Sequence, residues 1–149
     1  MIFLRRARPS GMIPIRARMH ETLWGDMSEQ DAVLAANATF YRVLREGDYG
    51  AMQALWSDRR HVTCTHPSGQ PLEGRRAVME SWRLILTEGE APPIRHCDAQ
   101  AVVTGHTAIV LCRERVGDAT LMAANAFALE NGVWRMINHQ ASPVPGTVR

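Results

Sequence analysis

Hydrophobic residues recur with a helical period over residues 28–46. They fall at three- and four-residue spacings and so share one face of a helix: Val33, Ala36, Phe40, Val43 and Leu44. Ser28, followed three residues later by Asp31, predicts a capped start, and Gly47 predicts the end. The pattern therefore predicts an amphipathic helix with its apolar face on a core.

The following segments predict two further helices with a strand between them. Asp48 is placed to cap a short helix that reaches Trp56. The run RRHVTCTH, residues 59–66, has the β-branched alternation of a strand, and PSGQP after it predicts a turn. A third helix is predicted from Gly74, with one apolar face made by Val78, Trp82 and Ile85.

Beyond Pro93 the pattern changes to that of antiparallel strands. Short turns containing Gly105, Gly117 and Gly132 separate four strand-like runs, which lie near residues 94–104, 106–116, 119–129 and 132–142. Strands joined by such short turns form a meander. The predicted fold class is α+β, with three helices before a curved, mixed or antiparallel sheet.

Several of these strands are apolar on both faces, which predicts a homodimer. In the third long strand, alternate positions place Leu121, Asn125 and Phe127 on the inner face. The intervening positions leave an outer face that is also apolar: Thr120, Met122, Ala124 and Ala126. Pairing of two copies through this outer face would cover it.

Length and charge predict one domain with a separate basic leader. A chain of 149 residues that is 46% hydrophobic fits a single core. The net charge of +2 conceals five arginines within residues 1–27, while residues 28–149 carry twelve arginines against thirteen acidic residues. Residues 1–27 are expected to lie outside the core, with Met27 as a natural start, and residues 28–149 to form the domain. The leader lacks the clustered basic and aromatic residues of a nucleic-acid arm, and no run reaches the ~18 apolar residues of a membrane span.

Several chemistries are excluded by residues that the sequence lacks. The chain has no lysine, so Schiff-base catalysis is ruled out. There is no phosphate-binding loop or dinucleotide motif, and no cofactor is predicted. His61, Cys64 and His66 are close in sequence, but neighbouring strand positions alternate faces, so no metal site is predicted. Three cysteines form no disulfide framework, which predicts a reducing, cytoplasmic location.

The order and spacing of three stretches resemble the nuclear transport factor two-like superfamily, and within it the SnoaL-like, ketosteroid-isomerase-related proteins. These stretches are LREGDYGAMQALWSD, HPSGQPLEGRRAVMESW and NAFALENGVWRMINHQASP, and the resemblance covers residues 28–143. It implies a cone-shaped α+β fold in which a curved sheet wraps helices around a blind pocket, usually in a homodimer. It does not fix a function, since the superfamily contains isomerases, hydrolases, dehydratases and binding or assembly domains.

The resemblance also assigns candidate catalytic residues. The Asp-Pro pair of ketosteroid isomerases, whose aspartate is the base, looks matched by His66-Pro67, and imidazole is a competent general base or acid. The carboxylic acid that stabilises the oxyanion looks matched by Asn125, whose amide could donate instead. The tyrosine of the first helix looks matched by Phe40. Tyr41 lies about 100° round the helix, so that donor is expected to be lost.

The resemblance further implies a cavity lined by apolar residues. His139 on the last strand shares an inward parity with Ile137, and the other expected wall residues are Phe40, Trp56, Trp82 and Phe127. The alternatives stay open: either histidine can be a buried residue bonded to nearby backbone, and the tryptophans can be core. The run Arg113, Glu114, Arg115 is interpreted as a solvated strand edge.

Two functional hypotheses follow. The first is a cofactor-independent isomerase, hydrolase or dehydratase acting on a small, largely apolar ligand, with His66 as general base or acid and Asn125 as donor. The second is a non-catalytic ligand-binding or dimerisation module that uses the same residues to hold a ligand or the fold.

Overall fold

The computed structural model describes residues 27–90 and 93–145. Apart from Met27, the expected leader, residues 1–27, lies outside the described residues. The fold is α+β, as predicted: three helices pack on a six-stranded mixed sheet. None of the described helices is both long and apolar enough to cross a bilayer.

The helices begin and end at the residues that the sequence indicates. Helix α1 spans Glu29–Glu46, α2 spans Tyr49–Leu55, and α3 spans Arg75–Arg83 and continues as a π-helical turn, Leu84–Glu88. At the start of α1 the Ser28 hydroxyl accepts from the Asp31 amide while the Asp31 carboxylate accepts from the Ser28 amide. Gly47 ends α1 in the left-handed region, at φ 67°.

The strand order explains why the sheet is mixed. The strands are β1 (Thr63–Thr65), β2 (Leu72–Glu73), β3 (Arg95–Thr104), β4 (Thr107–Val116), β5 (Ala119–Glu130) and β6 (Val133–Pro143). Their order across the sheet is β2-β1-β6-β5-β4-β3. The long strands form the predicted antiparallel meander, and β1 adds to β6 in parallel. Strand β2 was not predicted, and it and β1 lie between α2 and α3, so the three helices do not all precede the sheet.

The core lies between α1 and the inner face of the long strands. Helix α1 packs against β3, β4 and β6. Along β5 the predicted facing is confirmed, because Leu121, Asn125 and Phe127 are buried while Met122 is 40% exposed. On β4, Ile109 and Leu111 are about half exposed on the same outer face, at 51% and 49%. The outer face of the sheet therefore carries an apolar stripe in the single chain.

A β-bulge in β6 changes which residues face inward. Ala126 pairs with Asn138 while Phe127 pairs with Met136, so Ile137 is the extra residue. Before the bulge the even-numbered residues Trp134 and Met136 face inward, and after it the odd-numbered residues His139 and Ala141 do. All four are buried. Ile137 is half-buried and lies outside the core of the described residues. The expected shared face of Ile137 and His139 is therefore wrong, because a simple alternation does not survive a bulge.

Candidate functional site

A largely apolar cavity of about 510 Å³ lies between α1, α3 and the inner face of the sheet. Apolar side chains make most of its wall: Leu44, Pro67, Trp82, Ile85, Ile94, Val116 and Leu121. Three titratable side chains that are partly or fully buried also line it: His66, Glu114 and His139. Gly89 and the exposed Glu90 complete the lining. A few polar groups converging on apolar walls are typical of a small-molecule site.

The ring of His66 is held at the wall by α3. His66 follows the last residue of β1, and Pro67 restricts its backbone to extended conformations. Its Nε2 lies 3.0 Å from the Ser81 hydroxyl, which donates its only hydrogen to the Val78 carbonyl at 2.7 Å. Ser81 must therefore accept from His66 Nε2–H, which leaves Nδ1 as the basic nitrogen. Among the described residues, the only hydrogen-bond contact of Nδ1 is a long one, 4.0 Å, to Cys64 Sγ, which lies closer to Nε2, at 3.7 Å.

His139 presents a second neutral imidazole to the same cavity. Its Nδ1 lies 2.6 Å from Asn125 Oδ1, and since an amide oxygen only accepts, Nδ1 carries the hydrogen and Nε2 the lone pair. Burial, and to a lesser extent the nearby His66, lowers the pKa of His139 to about 3. Burial also lowers the pKa of His66 from its ordinary 6.5. The centres of the two rings are 6.4 Å apart.

Asn125 lies behind the cavity rather than on its wall. Its amide nitrogen donates to Asn37 Oδ1 at 2.7 Å and to the Tyr41 hydroxyl at 3.1 Å, and its oxygen accepts from His139. Both N–H groups are therefore used within the protein, and Asn125 is not a lining residue. The geometry gives it the role of fixing the His139 ring, in place of the predicted role of oxyanion donor.

Tyr41 does not replace the tyrosine donor that was expected to be lost, because it does not line the cavity and its hydroxyl is bonded within the protein. Its hydroxyl accepts from Asn125 and donates to Glu114 Oε1 at 2.7 Å, with Cys112 Sγ 3.3 Å away. Tyr41 is fully buried, and burial is the largest cause that raises its pKa, followed by the neighbouring Glu114 and Cys112. Because α1 crosses β3 and β4, Tyr41, which follows Phe40 on the helix, reaches Glu114 on β4.

Glu114 is buried, so its interpretation as a solvated strand edge is wrong. Only 1% of the residue is exposed, and burial raises its carboxyl pKa, an effect that the Tyr41 hydrogen bond partly offsets. The reason is parity: β4 places Ala108, Val110 and Cys112 inward, and Glu114 continues that series. Extending the alternation to the end of the strand would have found this residue from sequence.

The predicted aromatic wall is mostly core. Trp82 lines the cavity, with its ring centre 4.7 Å from that of His66 and 5.7 Å from that of His139. Phe40, Trp56 and Phe127 are buried in the core and are not lining residues. Of the predicted site residues, the structure therefore brings His66, Trp82 and His139 together on the cavity; Phe40 packs behind His139 at 5.1 Å.

In residues 27–90 and 93–145, no group of three or more His, Cys, Asp or Glu side chains is arranged to hold a metal ion. The polar groups of the cavity are instead each bonded to a neighbouring side chain: His66 to Ser81, His139 to Asn125 and Glu114 to Tyr41. This set can accept, donate and transfer protons.

Comparisons with known proteins place this geometry in context. A family model described as a SnoaL-like domain matches residues 33–146. A solved structure of a proposed dehydratase of the NTF2-like family from Streptomyces avermitilis is 30% identical, with a TM-score of 0.73 over 79% of this chain and 97% of that one. A proposed calcium/calmodulin-dependent protein kinase type II association domain from Thiobacillus denitrificans is 29% identical, with a TM-score of 0.65 over 74% and 94%.

A curated relative is much longer than this chain. The F-box protein SKIP8 of Arabidopsis thaliana is 26% identical over 113 residues, which are 74% of this chain and 49% of that protein. The chain thus spans about half the length of this relative.

The depressed pKa of His139 predicts acid-dependent stability. The unfolded state binds a proton near the ordinary pKa of 6.5 and the folded state only near 3, so stability is complete above 6.5 and falls as the pH drops between these values. Relative to His139→Gln, wild type should lose about 1.4 kcal/mol of unfolding free energy per pH unit in that window. Urea unfolding at a series of pH values measures this. The exposed His61, changed to Gln, is the control; equal pH slopes for wild type and His139→Gln would contradict the assignment.

Proposed function

Since the chain belongs to the SnoaL-like family, which confirms the resemblance seen in the sequence, we propose that it binds a small, largely apolar ligand in this cavity and catalyses a proton transfer on it without a cofactor. The observation that carries the proposal is the neutral His66 ring at the cavity wall, with Nε2 bonded to Ser81 and Nδ1 left as a base. The proposed reaction class is isomerisation, dehydration or hydrolysis.

Three properties of His66 support a role as general base or acid. Its ring lines the cavity, so a ligand can reach it. Burial lowers its pKa, so the ring is neutral and able to accept a proton at neutral pH. The bond to Ser81 fixes the direction of the ring, which keeps the basic nitrogen in place as a substrate proton approaches.

The surroundings support proton transfer beside a carbonyl. The wall is mostly apolar, and an apolar surrounding strengthens the electrostatic effect of each polar group. His139 Nε2 supplies a second acceptor, with its ring centre 6.4 Å from that of His66. A base that removes a proton beside a carbonyl leaves an enolate. Return of the proton to another carbon gives isomerisation, and loss of a β-hydroxyl, which takes up the proton and leaves as water, gives dehydration. The similarity to a proposed dehydratase favours the same chemistry.

We expect the protein to accelerate exchange of the α-hydrogens of cyclohexanone for deuterium, a reaction that needs only a base beside a carbonyl. Proton NMR in D₂O follows the exchange. His66→Gln should lower the rate by about 10²- to 10⁴-fold, the usual contribution of a positioned general base. His61→Gln, on an exposed residue, should leave it unchanged.

Thermal unfolding of the same variants separates catalysis from structure. If His66 only holds the fold, His66→Gln would lose about 1–3 kcal/mol of stability while exchange stays at the wild-type rate. That result, or wild-type protein that does not accelerate exchange, would contradict the proposed proton transfer.

A second candidate function is assembly through the outer face of the sheet. Ile109, Leu111 and Met122 form an exposed apolar stripe there, and leaving such area in water costs about 25 cal/mol per Å². The similarity to a proposed association domain favours contact between copies of the chain. We propose a homodimer formed by this face, which leaves the cavity on the opposite side of the sheet available.

Met122→Asp should dissociate the dimer without altering the cavity, because it places a charge on the outer face of β5. Sedimentation velocity at micromolar concentration measures the mass of the assembly. Leu84→Asp is a matched control, since Leu84 is also exposed, at 43%, but lies on the π-helical turn. A wild-type monomer, or a dimer that Met122→Asp leaves intact, would contradict this interface.

The cytoplasmic location stays a prediction.

A further inference from the structure

We propose that Glu114 is a ligand-binding residue of this cavity, where it acts as a carboxylic acid that donates a hydrogen bond from Oε2 to an uncharged hydroxyl or carbonyl oxygen. The inference rests on the proposed function of the cavity and deepens it by naming the class of ligand: neutral alcohols and ketones rather than carboxylates or amines.

The two oxygens of the Glu114 carboxyl have different surroundings. Oε1 accepts from the Tyr41 hydroxyl at 2.7 Å. Oε2 has no hydrogen-bond partner among the described residues, and it is not completely enclosed by protein atoms. Glu114 also lines the cavity. Buried polar atoms are normally paired, so the free oxygen on a cavity wall points to a partner in the cavity.

The groups around Glu114 favour the uncharged carboxyl. They are Tyr41 from α1, His96 opposite it on β3, Cys112 on β4, and His66, His139 and the exposed Glu90 on the same cavity. The exposed Arg45 is near enough to His96 to lower its pKa. None of the ion pairs among the described residues includes Glu114. Burial raises the carboxyl pKa and lowers the pKa of His66, His96 and His139, so no cation contacts the acid.

The hydrogen bonds behind the cavity orient the carboxyl and assign its hydrogen. His139 Nδ1 donates to Asn125, Asn125 donates to Tyr41, and Tyr41 donates to Glu114 Oε1. The directions of the first two bonds follow from the asparagine amide, and with Tyr41 as donor to Oε1 the acid hydrogen of an uncharged Glu114 is on Oε2. The cavity then presents a donor at Glu114 and an acceptor at His139 Nε2. A hydroxyl group satisfies both, and a carbonyl satisfies the donor.

Carbon-13 NMR tests the protonation of Glu114 without any ligand. Protein labelled at the glutamate carboxyl carbon is titrated, and the Glu114 signal is the one absent from Glu114→Gln. We expect it to remain that of a carboxylic acid at pH values at which the exposed glutamates have become carboxylates. A Glu114 signal that titrates together with the exposed glutamates would overturn the inference, whatever the cavity binds.

Three probes with the same ring test recognition: cyclohexanone, cyclohexanecarboxylate and cyclohexylammonium. We expect wild type to prefer cyclohexanone, measured by chemical-shift titration at neutral pH. Glu114→Leu, which removes the donor at similar volume, should weaken cyclohexanone binding about tenfold, the value of one hydrogen bond to a buried group. Glu114→Gln keeps an N–H donor and should stay within about threefold of wild type.

The outcomes separate this inference from the proposed function. Equal binding of cyclohexanone by wild type, Glu114→Gln and Glu114→Leu overturns the role of Glu114 and leaves the cavity a binding site. Preferred binding of cyclohexylammonium that both variants lose also overturns it, because Glu114 would then be a carboxylate. If wild type binds none of the probes, the proposed function is contradicted, and the carbon-13 titration still decides the state of Glu114. Thermal unfolding checks that both variants fold.

Discussion

The series of buried hydrogen bonds from His139 through Asn125 and Tyr41 to Glu114 is the constraint on which the site depends. It ties α1 to β4, β5 and β6 at the centre of the core, and its members are almost entirely removed from water. Leaving one buried polar group unpaired costs about 1–3 kcal/mol, so each member requires the others. Asn37 completes the set by accepting the second N–H of Asn125 at 2.7 Å.

This series determines what the cavity offers to a ligand. Because Asn125 accepts from Nδ1, the lone pair of His139 is on Nε2, and because Tyr41 is bonded to Oε1, the oxygen of Glu114 without a partner among the described residues is Oε2. His66 is fixed separately, through Ser81 on α3, and its ring packs edge-on against Trp82 at 4.7 Å. Two helices and four strands thus hold three polar groups around a largely apolar space, which is the preorganisation that the proposed proton transfer requires.

Most of the fold could be predicted from the sequence because its elements are local: caps at Ser28 and Gly47 and glycine turns determine helices and hairpins within a few residues. The site could be predicted only in part. His66 was found from a resemblance, but the path from Tyr41 to Glu114 joins residues 73 positions apart and depends on how α1 crosses the sheet. The bulge at Ile137 likewise depends on pairing between strands, which a single-strand alternation does not record.

The central claim is that the buried hydrogen bonds fix two neutral histidine tautomers around one cavity. Nitrogen-15 NMR of the imidazole rings at neutral pH tests it most directly, because protonated and unprotonated ring nitrogens have well-separated shifts. The account predicts neutral His139 with its hydrogen on Nδ1 and neutral His66 with its hydrogen on Nε2. A charged His139 would contradict the account because burial disfavours the imidazolium, and a neutral ring with its hydrogen on Nε2 would contradict it because Asn125 Oδ1 only accepts.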